Sequence, residues 1–183
     1  MGRALIYTDD WAFIHIPKTG GSNFKSRVDG KTPEIEGDWV RIECHNPVSF
    51  WETTEYVHDQ YITIVRNPYS RMVSIYEHIK SRRGMSSTFK EFVTGPKKFF
   101  GNWGWNWPQV RWIEGSDNVK VFRMEDQLKD MEKFVGVEFA STNHNTGSYS
   151  DWKTYYTPEL KDYVYDVWNE DFKMFNYGEE LGL

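Results

Sequence analysis

Residues 11–28, WAFIHIPKTGGSNFKSRV, decide how this chain folds and where its chemistry lies. A largely apolar run at 12–16 stops at Pro17, and a polar segment with two glycines then leads into an amphipathic stretch. This order predicts a buried strand, a tight turn and the start of a helix. Such a turn directs backbone N–H groups toward one spot beside Lys18, which suits a phosphate or sulfate group. Ser22 can cap the helix or donate to that anion.

The composition limits the classes of protein to which the chain can belong. With 183 residues it is long enough for one domain with a sizeable core, so we expect a single domain over residues 1–183. The net charge of −5 argues against general nucleic-acid binding. Cys44 is the one cysteine and excludes an internal disulfide. Because there is also no signal peptide or long apolar run, we expect a cytoplasmic protein without a membrane partner.

Strand and helix patterns alternate along the chain, which predicts an α/β fold with a largely parallel sheet. The strand patterns fall at residues 5–7, 12–16, 40–43, 61–65 and 119–122, and the helix patterns at 23–28, 47–52, 68–79, 89–93, 126–135 and 158–175. The strand YITIV at 61–65 is β-branched and apolar, so we place it at the centre of the sheet. The helix at 158–175 is the most regular, with an apolar stripe that includes Tyr163, Val167 and Phe172.

A second segment, YITIVRNPYSRMVSIYEH at 61–78, has the same order of strand, turn and helix. Arg66 follows the predicted central strand, at the edge of a parallel sheet where ligands bind. Arg71 and Ser74 are three residues apart on the next helix and therefore share a face. Arg66 and Ser74 suit a second phosphate, because a guanidinium donates several hydrogen bonds to phosphate oxygens. Each segment also has a plain structural alternative. The first could be an ordinary turn with a solvated lysine, and the second a surface arginine beside a serine that faces its own helix.

Together, IPKTGGSNF and IVRNPYSRMVSIY resemble the paired cofactor motifs of the PAPS-dependent sulfotransferases. The similarity is greatest to the carbohydrate branch that includes the heparan sulfate 2-O-sulfotransferases and their bacterial relatives. VFRMEDQL and TYYTPELKDYVYDVWNEDFKMFNY also resemble segments of that family, in the same order. The resemblance implies a three-layer fold like that of the P-loop NTPases, with a small, largely parallel sheet flanked by helices. It also implies transfer of a sulfuryl group from PAPS (3′-phosphoadenosine 5′-phosphosulfate) to a hydroxyl, with PAP (adenosine 3′,5′-bisphosphate) as product.

The resemblance also assigns the cofactor-binding residues by position. The first motif would bind the 5′-phosphosulfate and the second the 3′-phosphate. The residues concerned are Pro17, Lys18, Thr19, Gly20, Gly21, Ser22 and Asn23 in the first motif and Arg66 and Ser74 in the second. Relatives close a polar loop over the cofactor near residues 136–153, which makes Thr146 and Ser148 further candidates, although a plain surface loop fits equally well. Nothing in this chemistry requires a metal, and no metal-ligand spacing surrounds the cysteine or the histidines.

Transfer to a hydroxyl needs a base that takes its proton, and histidine is best matched to neutral pH. His15 lies in the predicted buried strand, where we expect a core residue whose polar atoms are satisfied. His78 lies at the outer end of a helix, and His58 precedes a strand at the wrong edge. His45 follows a short strand in CHNPVSFW, and relatives place their catalytic histidine in the same interval. We therefore expect His45 to be the base, unless it is a plain loop histidine, and Lys18 to stabilise charge on the bridging oxygen.

Residues 99–112, FFGNWGWNWPQVRW, form the candidate acceptor site. Aromatic faces beside amide groups suit sugar rings, and an arginine there can bind an acidic sugar. The expected contacts are Trp103, Trp105, Trp107, Gln109 and Arg111. An aromatic loop packed over the core is the alternative.

Two other functions stay open from the residues alone. A nucleotide-dependent phosphotransferase would need a Walker lysine after the glycines, whereas Lys18 precedes them. A non-catalytic domain that binds nucleotide or glycan is the second alternative.

Overall fold

The computed structural model describes residues 5–28, 45–95, 105–139 and 151–178. The chain divides into two compact units. The first, here the sheet unit, comprises Met1–Val65 and Gln109–Asn145, and the second, the helical unit, comprises Arg66–Pro108 and Thr146–Leu183. The strand expected at 40–43 lies outside the described residues.

The four described strands belong to one sheet within the sheet unit. They are β1 (Ile6–Tyr7), β2 (Ala12–Ile14), β3 (Tyr61–Val65) and β4 (Val119–Arg123), and they lie side by side in that order. Strands β2, β3 and β4 are parallel, and β1 pairs antiparallel with β2. Every residue of β3 is buried, as its β-branched sequence predicts for a strand covered on both faces. The predicted α/β class and the largely parallel sheet are confirmed.

The described helices divide between the two units. In chain order they are α1 (Gly21–Lys25), α2 (Val48–Trp51), α3 (Pro68–Arg83), α4 (Phe89–Thr94), α5 (Leu128–Val135), α6 (Pro158–Val167) and α7 (Asn169–Met174). Helices α1, α2 and α5 belong to the sheet unit. The core of that unit includes Phe13 from β2, Phe24 from α1 and Met131 from α5.

Helix α3 is the central element of the helical unit. It begins at Pro68, as predicted, because the side chain of Asn67 accepts a hydrogen bond from the Tyr69 N–H at 2.9 Å and proline is favoured in a first turn. Tyr69, Val73 and most of its other residues are buried, together with side chains of α4, α6 and α7. A helix that is covered on most sides in this way is an interior element.

The predicted single helix over 158–175 is wrong, because α6 ends and α7 begins on either side of Trp168. Trp168 has φ −116° and ψ 27°, and its indole N–H donates to the Asn106 carbonyl at 2.9 Å. Tyr163 and Val167, expected in the core, are 40% and 47% exposed, whereas Phe172 is buried. A tertiary hydrogen bond therefore interrupts the helical period at this point.

Several other boundaries differ from the sequence prediction, three of them near the candidate site or with a local cause. Strand β2 ends at Ile14, so that His15 lies beyond it. Helix α1 begins at Gly21, two residues early, because the Asn23 N–H already bonds the Gly20 carbonyl. Helix α5 begins two residues late, because the Gln127 side chain accepts from the Arg123 N–H at 2.8 Å and keeps the segment between them in a turn. None of the helices in the described ranges has the length and apolar character needed to span a bilayer.

Candidate functional site

The turn after β2 has the backbone geometry of an anion site. Lys18 and Gly20 are both left-handed, with φ 67° and φ 90°. Thr19 between them is fully buried, and its hydroxyl donates to the Ile16 carbonyl at 2.9 Å. Backbone N–H groups on either side of a left-handed residue form a concave, anion-binding surface. A left-handed lysine is uncommon, and the turn around it is held by the buried threonine.

Ser22 and Asn23, both expected to bind the cofactor, lie in the first turn of α1. The cap of α1 is Gly20, which makes no side-chain cap bond, so of the two roles given for Ser22 the structure contradicts the helix cap and leaves the anion contact as a prediction. Ser22 is already inside the helix and is exposed, which leaves its hydroxyl available to a ligand. The Asn23 amide donates to the Phe139 carbonyl at 2.9 Å and joins α1 to the segment after α5.

His45 contacts the residue that precedes the turn. Its Nδ1 lies 2.8 Å from the His15 carbonyl oxygen, and the two imidazole centroids are 4.4 Å apart. Because a carbonyl oxygen only accepts, Nδ1 carries the hydrogen of this bond, and the neutral ring keeps its lone pair on Nε2. An edge contact with Trp112, at 6.2 Å between centroids, fixes the ring further. The arrangement therefore suits proton acceptance at Nε2.

His15 differs from the satisfied core residue that the sequence predicts. Its side chain is only 6% exposed, and Nδ1 has no hydrogen-bond partner among the described residues. Burial holds the pKa of His15 well below its usual value, and repulsion from His45, Lys25 and Lys18 lowers it further. His15 is therefore a neutral, buried imidazole at neutral pH.

Arg66 opens the helical unit and contacts the first turn of α3. Its Nε donates to the Ser70 hydroxyl at 2.8 Å, and that hydroxyl donates to the Asn67 carbonyl at 3.1 Å. Ser74, the predicted partner, lies one turn further along α3 and is largely buried. Sequence reasoning missed Ser70, although its place four residues after Arg66 was the available signal. The structure thus adds a second hydroxyl to the predicted pair.

Arg71 is turned toward the protein interior instead of toward a ligand. It is 2% exposed and donates from Nη1 to the Trp107 carbonyl at 2.9 Å and from Nη2 to the Trp105 carbonyl at 3.2 Å. Burial lowers the pKa of Arg71 to about 10, and the buried Asp171 opposes that shift. Arg71 therefore remains charged at neutral pH and anchors the aromatic segment.

The predicted acceptor residues differ in their exposure. In the helical unit, Trp105 packs on the core and lies 5.0 Å from the His78 ring, whereas Trp107 is 39% exposed. In the sheet unit, Gln109 is fully buried and Arg111 is exposed. Trp107 and Arg111 are therefore the most accessible of these candidates, Trp105 is half-buried and Gln109 is the least accessible. The candidates outside the described residues are Trp103, Thr146 and Ser148.

The largely parallel sheet and the left-handed turn after β2 define an α/β protein of the class in which ligands bind at the carboxyl ends of the strands. The sequence profile of the Sulfotransferase family matches residues 7–178. The chain therefore belongs to the sulfotransferase family and is a transferase of sulfuryl groups. A search of curated protein sequences gave no match.

A solved sulfotransferase structure has a similar architecture. The crystal structure of mouse sulfotransferase SULT7A1 complexed with PAP has a TM-score of 0.51 and 16% identity, over 93% of this chain and 87% of that one. A crystal structure of a sulfotransferase from Alicyclobacillus acidocaldarius has a TM-score of 0.42 and 16% identity, over 73% of this chain and 59% of that one. The similarity to the mouse enzyme confirms the expected P-loop-like fold.

Proposed function

We propose that this protein transfers the sulfuryl group of PAPS to a hydroxyl group of a carbohydrate. The match to the Sulfotransferase family over residues 7–178 carries the proposal, because it includes both anion-binding segments. The left-handed turn beside Lys18 supports it, and so does the PAP bound in the mouse sulfotransferase of similar fold.

The donor would be bound through two sets of cationic and hydrogen-bonding groups. Lys18 and the N–H groups of the turn at 17–23 would bind the 5′-phosphosulfate, to which such groups are complementary. Arg66 and Ser74 would bind the 3′-phosphate. The Arg66–Ser70 bond at 2.8 Å supports this role, because it restricts the guanidinium before any ligand arrives.

The transfer itself follows from the tautomer of His45. The acceptor hydroxyl gives its proton to Nε2 while its oxygen forms a bond to sulfur. The bond between sulfur and the bridging oxygen breaks, and its electron pair stays on the 5′-phosphate of the departing PAP. Lys18 stabilises the charge that develops on that oxygen. His45, once protonated, returns the proton to solvent.

The acceptor would be a carbohydrate of the kind used by the heparan sulfate 2-O-sulfotransferase branch. Trp107 offers an exposed aromatic face, on which a sugar ring can stack. Arg111 is an exposed cation that would suit an acidic sugar.

Isothermal titration with PAP, ATP and 5′-AMP tests the donor. We expect PAP to bind at least about tenfold more tightly than 5′-AMP, since one charged contact to the 3′-phosphate is sufficient for that difference. A preference for ATP would favour a phosphotransferase and contradict the proposal.

Transfer of radiolabelled sulfate from PAPS to heparan-type oligosaccharides tests the base. His45→Ala should lower kcat by about 10²–10⁴-fold while the Kd for PAP stays within about threefold. His58→Gln is the matched control and should retain activity. A pure binding domain would transfer no sulfate in any of these variants.

A further inference from the structure

His15 connects the candidate base to the glycine turn. It follows β2 directly and is separated from the turn at 17–22 by one residue. Its ring packs on the ring of His45. Neither the family motif as read from the sequence nor the proposed transfer uses its side chain. A buried imidazole with an unsatisfied nitrogen is costly to keep, and its cost must be offset by the contacts that it makes.

On the side of the turn, the His15 ring occupies the space that a side chain at position 21 would need. A Cβ added to Gly21 would lie 2.3 Å from His15 Cδ2 and 2.7 Å from Nε2. Both distances are far shorter than real carbon contacts, so the backbone of Gly21 packs directly on the imidazole. Gly21 does not have a positive φ, so packing and not backbone strain excludes a side chain there. The His15 ring is the main obstacle, and Phe13 Cε1, at 3.1 Å from the added Cβ, is a smaller one.

On the side of the base, residue 15 makes two contacts to His45. Its carbonyl oxygen accepts from Nδ1 at 2.8 Å, and its ring packs at 4.4 Å between centroids with planes at 49°. The first contact selects the tautomer with the lone pair on Nε2, and the second limits rotation of the ring.

We infer that His15 is a positioning residue. Its buried imidazole contacts both the backbone of the glycine turn and the ring of His45, and so fixes these two parts of the sheet unit relative to each other. The inference rests on the proposed function, in which the turn binds the donor and His45 accepts the proton. Its physical content is a coupling between positions 15 and 21, and a restriction of the His45 ring by the ring of His15, which keeps Nδ1 aligned with the carbonyl of residue 15.

A double-mutant cycle with PAP as the probe tests the coupling. Gly21→Ala should weaken PAP binding at least about tenfold, because the new methyl group displaces the turn from the ring. Adding His15→Ala should recover most of that loss, since it removes the obstructing atoms. Gly20→Ala is the matched control: its Cβ would lie 3.5 Å from Met124 Sδ and its φ is +90°, so His15→Ala should not rescue it. Lack of rescue of Gly21→Ala would overturn the inference.

The tautomer of His45 provides a second measurement that a purely structural role would not move. Nitrogen-15 chemical shifts of the His45 ring should show one dominant Nδ1–H tautomer in the wild-type protein. They should show a mixture in His15→Ala, because without the packed ring His45 can rotate out of line with the carbonyl of residue 15. If His15→Ala does not fold, His15→Val fills part of the space and replaces it in both experiments. An unchanged tautomer in a folded variant contradicts the inference. If the wild-type protein does not bind PAP more tightly than ATP and 5′-AMP, the proposed function fails. The packing of His15 on Gly21 can then still be tested by thermal unfolding, in which His15→Ala should restore stability lost in Gly21→Ala.

Discussion

Arg66 is the residue whose predicted role depends most on one chemical group of the ligand. PAP and 5′-AMP differ by the 3′-phosphate, and Arg66 is assigned to that phosphate. Its bond to Ser70 holds the side chain against α3, so little ordering is needed on binding. The sequence predicted a hydroxyl partner for this arginine, but the partner in the structure is Ser70, while Ser74 remains a prediction.

Arg66→Ala should therefore weaken PAP binding by about 10–100-fold and 5′-AMP binding by less than about threefold. The reason is the loss of a charge-assisted bond that only PAP can make. Isothermal titration measures both ligands. Arg82→Ala, an exposed arginine of the same helix, is the matched control and should change neither affinity. Equal losses for the two ligands would contradict the assignment.

His15 should make the stability of the protein depend on pH. Its pKa in the folded protein is well below 6.5, so the unfolded chain binds a proton that the folded protein does not. The free energy of unfolding should hence be highest above about pH 6.5 and fall as the pH falls toward the folded pKa. Urea unfolding at about pH 7.5 and 5.5 measures how much the free energy of unfolding decreases between the two pH values, and this decrease should be smaller in His15→Val. Equal losses in both proteins would contradict it.

At the scale of elements, the short stretch at 105–107 in the helical unit is anchored by its backbone. Three successive carbonyls, those of residues 105, 106 and 107, accept hydrogen bonds from Arg71, Trp168 and Arg71 again. The donors come from α3 and from the junction between α6 and α7. The backbone that carries Trp107 is thus fixed although it has no regular secondary structure.

Arg71→Met should lower the free energy of unfolding by about 3–5 kcal/mol. It removes two hydrogen bonds and leaves the buried carboxylate of Asp171 without its compensating charge. Urea unfolding measures this loss. The control variant Arg82→Met, at an exposed position of α3, should change the free energy of unfolding by less than about 0.5 kcal/mol. Adding Asp171→Asn to Arg71→Met should recover part of the loss, and a further loss in the double variant would count against the electrostatic explanation.

At the scale of the whole molecule, binding of the proposed donor product should raise the thermal stability. A ligand at a hundred times its Kd adds about 2.7 kcal/mol to the free energy of unfolding. For a chain of this size that corresponds to a rise in Tm of about 5–10 °C. Thermal unfolding with PAP measures it, and 5′-AMP at the same concentration should give a smaller rise. Identical shifts with both ligands would argue against a role for the 3′-phosphate. The expectation of a single domain over residues 1–183 stays a prediction.

The sequence by itself determined the elements whose causes are local. The strand and turn of 12–22, the buried strand β3 and the start of α3 at Pro68 follow from β-branched runs, glycines and a proline. The helix pattern at 89–93 is likewise confirmed by α4, which begins with a capping box formed by Thr88 and Glu91. These signals act within a few residues, so one stretch of chain is sufficient to read them.

The tertiary structure decided the contacts that join distant positions. His45 bonds a carbonyl 30 residues away, Arg71 one 36 residues away and Trp168 one 62 residues away. None of these partners can be found from periodicity, because a backbone carbonyl is present at every position and only the packed fold selects which one is near. That selection gave His45 its tautomer, directed Arg71 into the interior and divided the last helix at Trp168.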